Sequence, residues 1–191
     1  MKVARSNIPD VLIIEAEVYC DNRGAFLETY NERAFAALGF KQHFVQDNLS
    51  ISKRHVICGL HYQVRRPQGK LVRVVHGEAL DAVVDLRRWM PTFGRHAAVR
   101  LSDEDHKALW IPPGFAHGFA ALSETVVFAY KATDFYAPGF ERTILWSDPE
   151  IGIAWGLRPE MAIVSEKDRR GVPFSRAEVY EDVSALMPRG E

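Results

Sequence analysis

From Phe44 to Tyr136 the chain is a succession of short β-prone runs with no long helix between them: FVQDNLSIS, HVICGLHYQ, KLVRVVHGEALDAVVDLR, HAAVRLS, KALWIPPGFAHGFAAL and TVVFAYKATDFY. Alternating strand–helix units need a dozen or more residues for each crossover, so this spacing argues against a parallel α/β sheet and for an antiparallel sandwich or barrel. An earlier run, VLIIEAEVY, starts the pattern. Asn31 is placed to cap a short helix, ERAFAALGF, whose Phe35 and Leu38 share a face and whose Gly39 suits a left-handed stop. Around His76-Gly77 the cleanest hairpin signal joins KLVRVV to EALDAVVDL, with Leu71, Arg73 and Val75 on one face and Val72, Val74 and His76 on the other. Past about residue 159 the alternation fades, charges accumulate in SEKDRRG, and RAEVYEDVSALM is a weak helix candidate. The expected architecture is all-β, a double-sheet jelly roll in one domain over residues 1–191, with a short helix near the N-terminus and a small helical C-terminal segment.

Bulk properties exclude several functions. With 24 Lys and Arg against 25 Asp and Glu among 191 residues, the chain has no global field for nucleic acid or an anionic membrane, so an anionic ligand must be met by a local cluster. Its two cysteines, Cys20 and Cys58, lack metal or redox spacing and suit free thiols in a reducing compartment. The apolar run Val11–Ile14 is far short of a signal core or membrane span, which points to a cytoplasmic location.

One stretch carries more titratable chemistry than a strand requires: GLHYQVRRPQGK, residues 59–70. His61 and Gln63 share a strand face and Lys70 opens the next strand, so a base and an ammonium can converge inside a sheet. A lone histidine in a strand is more simply a structural residue bonded to a carbonyl. The segment PPGFAHGF places Pro112, Gly114 and His117 in the order P-x-G-x-x-H, a pattern of the second cupin motif. Metal-binding cupins place H-x-H in the first motif. Here Gln63 stands at the second position and Lys70 follows, and an ammonium repels a divalent ion. Tyr130 lies on a strand as either core filler or proton donor, and Tyr136 sits beyond the strand end, where a ring can stack on a base or sugar.

The blocks RGAFLETYNERAF, FVQDNLSIS, GLHYQ, QGKLVRVVHGEALDAVVDLR, PTFG, LWIPPGFAHGF, YKATDFYAPGFERTILWSDPEIGIAW and SEKD, in order from about residue 8 to 168, resemble the dTDP-4-dehydrorhamnose 3,5-epimerase family, metal-free cupins of deoxysugar biosynthesis. The resemblance implies a cupin-type jelly roll and a substrate, dTDP-4-dehydro-6-deoxy-D-glucose, whose C4 ketone acidifies the hydrogens on C3 and C5. Proton removal and return from the opposite face yields dTDP-4-dehydro-L-rhamnose with no redox cofactor or metal. By family position His61 is the general base, a role typically worth ~10²–10⁴-fold. Asp168 supports its other ring nitrogen, Lys70 holds the enolate oxygen, a donor contribution on the order of 3 kcal/mol, and Tyr130 is the acid on the opposite face. His117 contacts substrate. Arg23, Glu28, Gln46, Asn48, Glu141 and Lys167 meet the nucleotide, and Tyr136 stacks on thymine.

One position departs from the pattern. The family usually has Arg immediately before GLH as a diphosphate contact, and this chain has Cys58, which removes a guanidinium unless Arg54, Arg65 or Arg66 reaches the same phosphate. The resemblance further implies a homodimer whose amino-terminal strands join the partner's sheet, and VLII reads as an edge strand needing cover. Three other readings stand beside the double epimerase: a C3-only epimerase or one for a related nucleotide-linked ketosugar, a metal-dependent cupin oxygenase or isomerase using His61, His117 and His76, and a non-catalytic sugar-nucleotide binder.

Overall fold

The computed structural model describes residues 1–186. In chain order the elements are β1 (Lys2–Arg5), β2 (Leu12–Glu15), β3 (Val18–Asp21), β4 (Gly24–Leu27) and helix α1 (Glu32–Ala37). The central strands are β5 (Gln46–Lys53), β6 (Val56–Gln63), β7 (Lys70–His76), β8 (Glu78–Asp85), β9 (His96–Ser102), β10 (Lys107–Ile111), β11 (Phe115–Ala121) and β12 (Thr125–Ala132). Short β13 (Glu141–Thr143), β14 (Ile163–Val164) and helix α2 (Glu166–Arg169) follow.

One six-stranded sheet runs β1-β2-β10-β7-β12-β5, the second runs β13-β6-β11-β8-β9 with β14 parallel to β6, and β3 pairs only with β4. Side chains from both sheets fill the space between them, among them Val72, Val74, Leu109, Phe128, Val83, Leu101 and Phe119. Phe119 and Phe128 stack at 4.3 Å across that interior. The architecture is the expected jelly roll. Strands β8 and β11 are buried on both faces, which explains their near-continuous apolar sequence. Their outer sides meet the C-terminal segment through Leu80, Ala82, Val84, Ala116, Ile144, Trp155 and Tyr180. Helix α1 is capped by the Asn31 side chain and seats Phe35 against Trp110 and Leu71 on the outside of the first sheet.

Three local expectations are corrected. The hairpin at His76-Gly77 does not exist: β7 lies in the first sheet and β8 in the second, so the chain changes sheet at Gly77. Close approach drives the corner, because a Cβ on Gly77 would fall 2.2 Å from the Thr125 carbonyl oxygen. A bulge between Val127 and Phe128 also breaks the face alternation of β7 at Val75. The VLII run is not an edge, since β2 lies between β1 and β10 of its own chain. The candidate helix at RAEVYEDVSALM is instead 3-10 turns at Phe174–Arg176 and Val183–Leu186, separated by Tyr180, whose hydroxyl donates to the Gln63 carbonyl at 2.6 Å. Met187 of that candidate lies outside the described residues. Cys20 and Cys58 are free, and among the described residues no helix is long and apolar enough to cross a membrane.

Candidate active site

The inward face of β6 carries the centre of the site. His61 pairs in register with His117 on β11 and with Thr143 on β13, so both rings point between the sheets. The turn of α2, started by the Ser165 side chain accepting from the Asp168 amide, brings Asp168 behind His61. Asp168 is 2% exposed, and its Oδ1 accepts from His61 Nε2 at 2.5 Å while its Oδ2 accepts from the Gly59 amide at 3.4 Å. Burial opposes charge on His61, but the bond to Asp168 and the facing Cys58 thiol outweigh it and push the imidazole up to about 9. Burial also opposes charge on Asp168, and the His61, Gly59 and Ser165 bonds bring it below the usual carboxylate range.

Opposite β6, the first sheet supplies Lys70 and Tyr130. Both lie on its inner face: Tyr130 is in register with the core residue Val72, and Lys70 sits two positions before it. Lys70 Nζ lies 5.9 Å from the Tyr130 ring centroid. Burial moves both toward their neutral forms, lowering Lys70 and raising Tyr130. His61, Lys70 and Tyr130 all feel Cys58 and Glu141, so an imidazole, an amine and a phenol border one interior space.

The rim of that space is a connected polar chain. Glu141 Oε1 pairs with Lys167 Nζ at 2.6 Å and Oε2 accepts from the Tyr136 hydroxyl at 2.7 Å. The Tyr136 amide donates to Gln46 Oε1 at 2.8 Å, and Gln46 Nε2 donates to Asn48 Oδ1 at 3.0 Å. The Tyr136 ring itself is 52% exposed, open to stacking. Asn48 Nδ2 and Ser50 Oγ are buried without partners among the described residues, donors left facing the interior. Lys70, His61, Tyr130, Asp168, Gln46, Asn48, His117, Tyr136, Glu141 and Lys167 are thus gathered from both sheets, the segment between β12 and β13, and α2. Arg23 and Glu28 are not. Arg23 sits exposed at the β3–β4 tip against Asp21, and Glu28 accepts from Asn31 on the outer side of the first sheet, where its neighbour Thr29 lines a groove.

Two side chains in the interior carry signals the sequence reading did not use. Asp81, an acid inside the apolar run EALDAVVD, is fully buried, and its Oδ2 accepts from His117 Nε2 at 2.7 Å. Cys58, a free thiol where the family usually has Arg, faces His61. Of the arginines offered as substitutes for it, Arg54 pairs with Glu124 at 3.3 Å, Arg66 with Asp134 at 2.5 Å, and Arg65 lies over the Phe140 ring. The residues do not suit a metal ion. Among the described residues no group of three or more His, Cys, Asp or Glu side chains is placed to hold one, and Gln63, at the second position of the motif, spends its amide on the Arg66 carbonyl and the Ala137 amide. His76 is exposed beside Asp103, away from this set.

A sequence model of the family described as dTDP-4-dehydrorhamnose 3,5-epimerase matches residues 5–176. The chain is 53% identical over 181 residues to the Pseudomonas aeruginosa protein of that name, covering 94% of this chain and 99% of the relative. It is 49% identical to the Methanothermobacter thermautotrophicus protein of the same name, covering 92% and 96%. The crystal structure of a Legionella pneumophila dTDP-6-deoxy-D-glucose-3,5-epimerase in complex with dTDP-4-keto-L-rhamnose superposes with a TM-score of 0.90 at 41% identity, covering all of this chain and 98% of the other. A His–Asp pair, a buried lysine and a phenol enclosed by a jelly roll are what carbon-acid chemistry next to a ketone needs, and with these likenesses the chain belongs to the dTDP-4-dehydrorhamnose 3,5-epimerase family.

Proposed function

We propose that the chain converts dTDP-4-dehydro-6-deoxy-D-glucose to dTDP-4-dehydro-L-rhamnose, inverting C3 and C5 next to the C4 ketone, as one catalytic domain over residues 1–191 acting in the cytoplasm in deoxysugar synthesis. The observation that carries this reading is the placement of His61 and Lys70 on facing sheets around one interior, with Tyr130 beside the ammonium.

The chemistry follows from those positions. Neutral His61 takes a proton from the carbon next to the ketone, and Asp168 stabilises the imidazolium that forms. Electrons shift into the C4 carbonyl, and the enolate oxygen is met by the Lys70 ammonium in a low-dielectric interior, where a preorganised cation is worth more than in water. Tyr130, kept as the neutral phenol by burial, returns a proton from the other face. His117 contacts the sugar. Lys167, beside the exposed Tyr136 ring, meets the diphosphate while that ring stacks on thymine, and Gln46, Asn48 and Glu141 complete the nucleotide rim.

We also propose a homodimer. The pattern of β5 is inverted: Gln46, Asn48, Ser50 and Ser52 turn inward, while Leu49 and Ile51 turn outward at 60% and 71% exposure. With Val75 and Ala129 they form an apolar outer face, a surface suited to a second copy.

The test is solvent exchange. In deuterated water the wild-type protein incorporates deuterium at C3 and C5 of the sugar, read by NMR, and His61→Ala incorporates none while still binding dTDP. Exchange at C3 alone would make this a single epimerase, and undiminished exchange in His61→Ala would remove His61 as the base.

A further inference from the structure

We propose that Asp81 is a positioning residue for the reaction: with one oxygen fixed by His117, its carboxylate is the counter-ion that keeps Lys70 protonated within the interior. The proposal rests on the reading of Lys70 as the cation that meets the enolate.

Asp81 lies in the middle of β8, in register with Phe119 on one side and Val99 on the other, and is 0% exposed. A carboxylate among such neighbours loses its hydration and must be compensated. One oxygen is compensated, by His117 Nε2 at 2.7 Å, while Oδ1 has no hydrogen-bond partner among the described residues. Burial pushes the Asp81 carboxyl up, and what draws it back toward the charged form besides His117 is the charge of Lys70, an attraction that is mutual. Lys70 needs that support, because its own surroundings are an aromatic ring at 5.9 Å and a desolvating interior.

The groups facing Lys70 come from five elements: Cys58 of β6, Asp81 of β8, Tyr130 of β12, Glu141 of β13 and Lys167 of α2. Glu141 is already matched by Lys167 at 2.6 Å, so that pair brings little net charge to Lys70. Cys58 faces His61. Asp81 is therefore the acid with an uncommitted oxygen and an unmatched share of charge. The groups that hydrogen-bond His61 are Asp168 and Cys58, not Asp81, so its removal weighs on the cation more than on the base. Losing a negative charge disfavours the ammonium, so Lys70 releases its proton at lower pH while His61 stays where it is.

The experiment follows the lysine directly, by carbon NMR of full-length protein labelled at lysine Cε, with the Lys70 signal assigned by its loss in Lys70→Arg. In Asp81→Asn, Lys70 titrates about one pH unit lower than in wild type, the shift expected on removing a nearby opposite charge. The falling limb of the kcat/KM–pH profile moves down with it, and the rising limb does not move. If Asp81 only orients His117, the Lys70 titration stays at its wild-type value and the proposal is overturned. If the NMR titration moves but the rate profile does not, Asp81 holds the charge of Lys70 and the enolate role of Lys70 is what fails. Asp81→Ser carries the same expectation should the asparagine variant not fold. In wild-type protein, Asp81 found protonated in the pH range where Lys70 titrates also overturns the proposal.

Discussion

A single contact, His61 Nε2 on Asp168 at 2.5 Å, sets how the site answers to pH. In the folded state His61 is held near 9, against an ordinary value of 6.5. A folded value above the unfolded one means that the pair stabilises the protein fully below about pH 6.5 and that this contribution fades as pH rises through about 9. The Asp168 side runs the other way: its depressed value adds stability above the ordinary carboxylate range, lost in acid as pH falls through the folded value. With His61 as the proposed base, which works only when neutral, kcat/KM of the free enzyme is expected to rise with pH toward about 9. Asp168→Asn keeps the shape but removes the charge. Its rising limb moves to lower pH, its maximal rate falls roughly 10²-fold or more as the imidazolium loses its support, and its deficit in melting temperature is larger at pH 6 than at pH 10. A rising limb that stays in place would show that Asp168 does not set the basicity of His61.

Strand patterns explain why much of the fold was legible in the sequence and parts were not. β9 is seen at its expected bounds because a run between turn residues with one face buried leaves little freedom. β7 and β8 misled because two apolar runs joined by His76-Gly77 have the local signature of a hairpin. Whether the chain pairs back or crosses to the other sheet depends on Thr125 and Ser123, which crowd Gly77 from far along the sequence. In the site, His61, Lys70 and Tyr130 stand out on strand faces and Asp168 emerges only from the motif blocks, whereas Asp81 is hidden because its partner His117 is 36 residues away. A charge in an otherwise apolar strand was the signal available. The β6–β11 pairing that carries both histidines depends on a similar close approach: Gly118 lies so near β6 that an added Cβ would meet the Cys58 carbonyl at 2.6 Å and Gly59 Cα at 3.1 Å. Backbone on that side cannot give way as a side chain would. Gly118→Ala therefore destabilises the protein by about 1–3 kcal/mol, the usual effect of overpacking, read as a lower urea midpoint, and it lowers kcat more than it raises KM because His61 moves off its line. A wild-type midpoint and kcat would mean that β6 shifts freely and does not fix the base.

At the scale of the whole molecule, the first sheet has two unlike faces, and the outward one is unfinished. Its outer groove of about 370 Å³ runs between Thr29, Asp47, Leu71, Arg73, Val75 and Ala129. Arg73 is half-buried there, its Nε lacks a partner among the described residues, and burial lowers its pKa. An apolar row beside an unsatisfied guanidinium suits a surface that brings both carbon and an acceptor, and the proposed second copy would bring both by symmetry. Standard interfaces bury about 800 Å² per partner, an area within reach of a six-stranded face. The β3–β4 hairpin is exposed in the same way, with Phe26 at 70% and Tyr19 at 57%. Its Arg23 and the following Glu28 lie apart from their own chain's His61, so if they serve a nucleotide they serve the partner's. In light scattering the wild-type protein has twice the 21.6 kDa chain mass. Leu49→Glu, on an exposed outward position, folds normally but shifts to the monomer mass, and the monomer binds dTDP more weakly. A wild-type monomer refutes the dimer. A monomeric variant with undiminished dTDP affinity keeps the dimer and removes Arg23 and Glu28 from the nucleotide site, leaving the rim of Tyr136, Glu141 and Lys167 to hold the substrate within one chain.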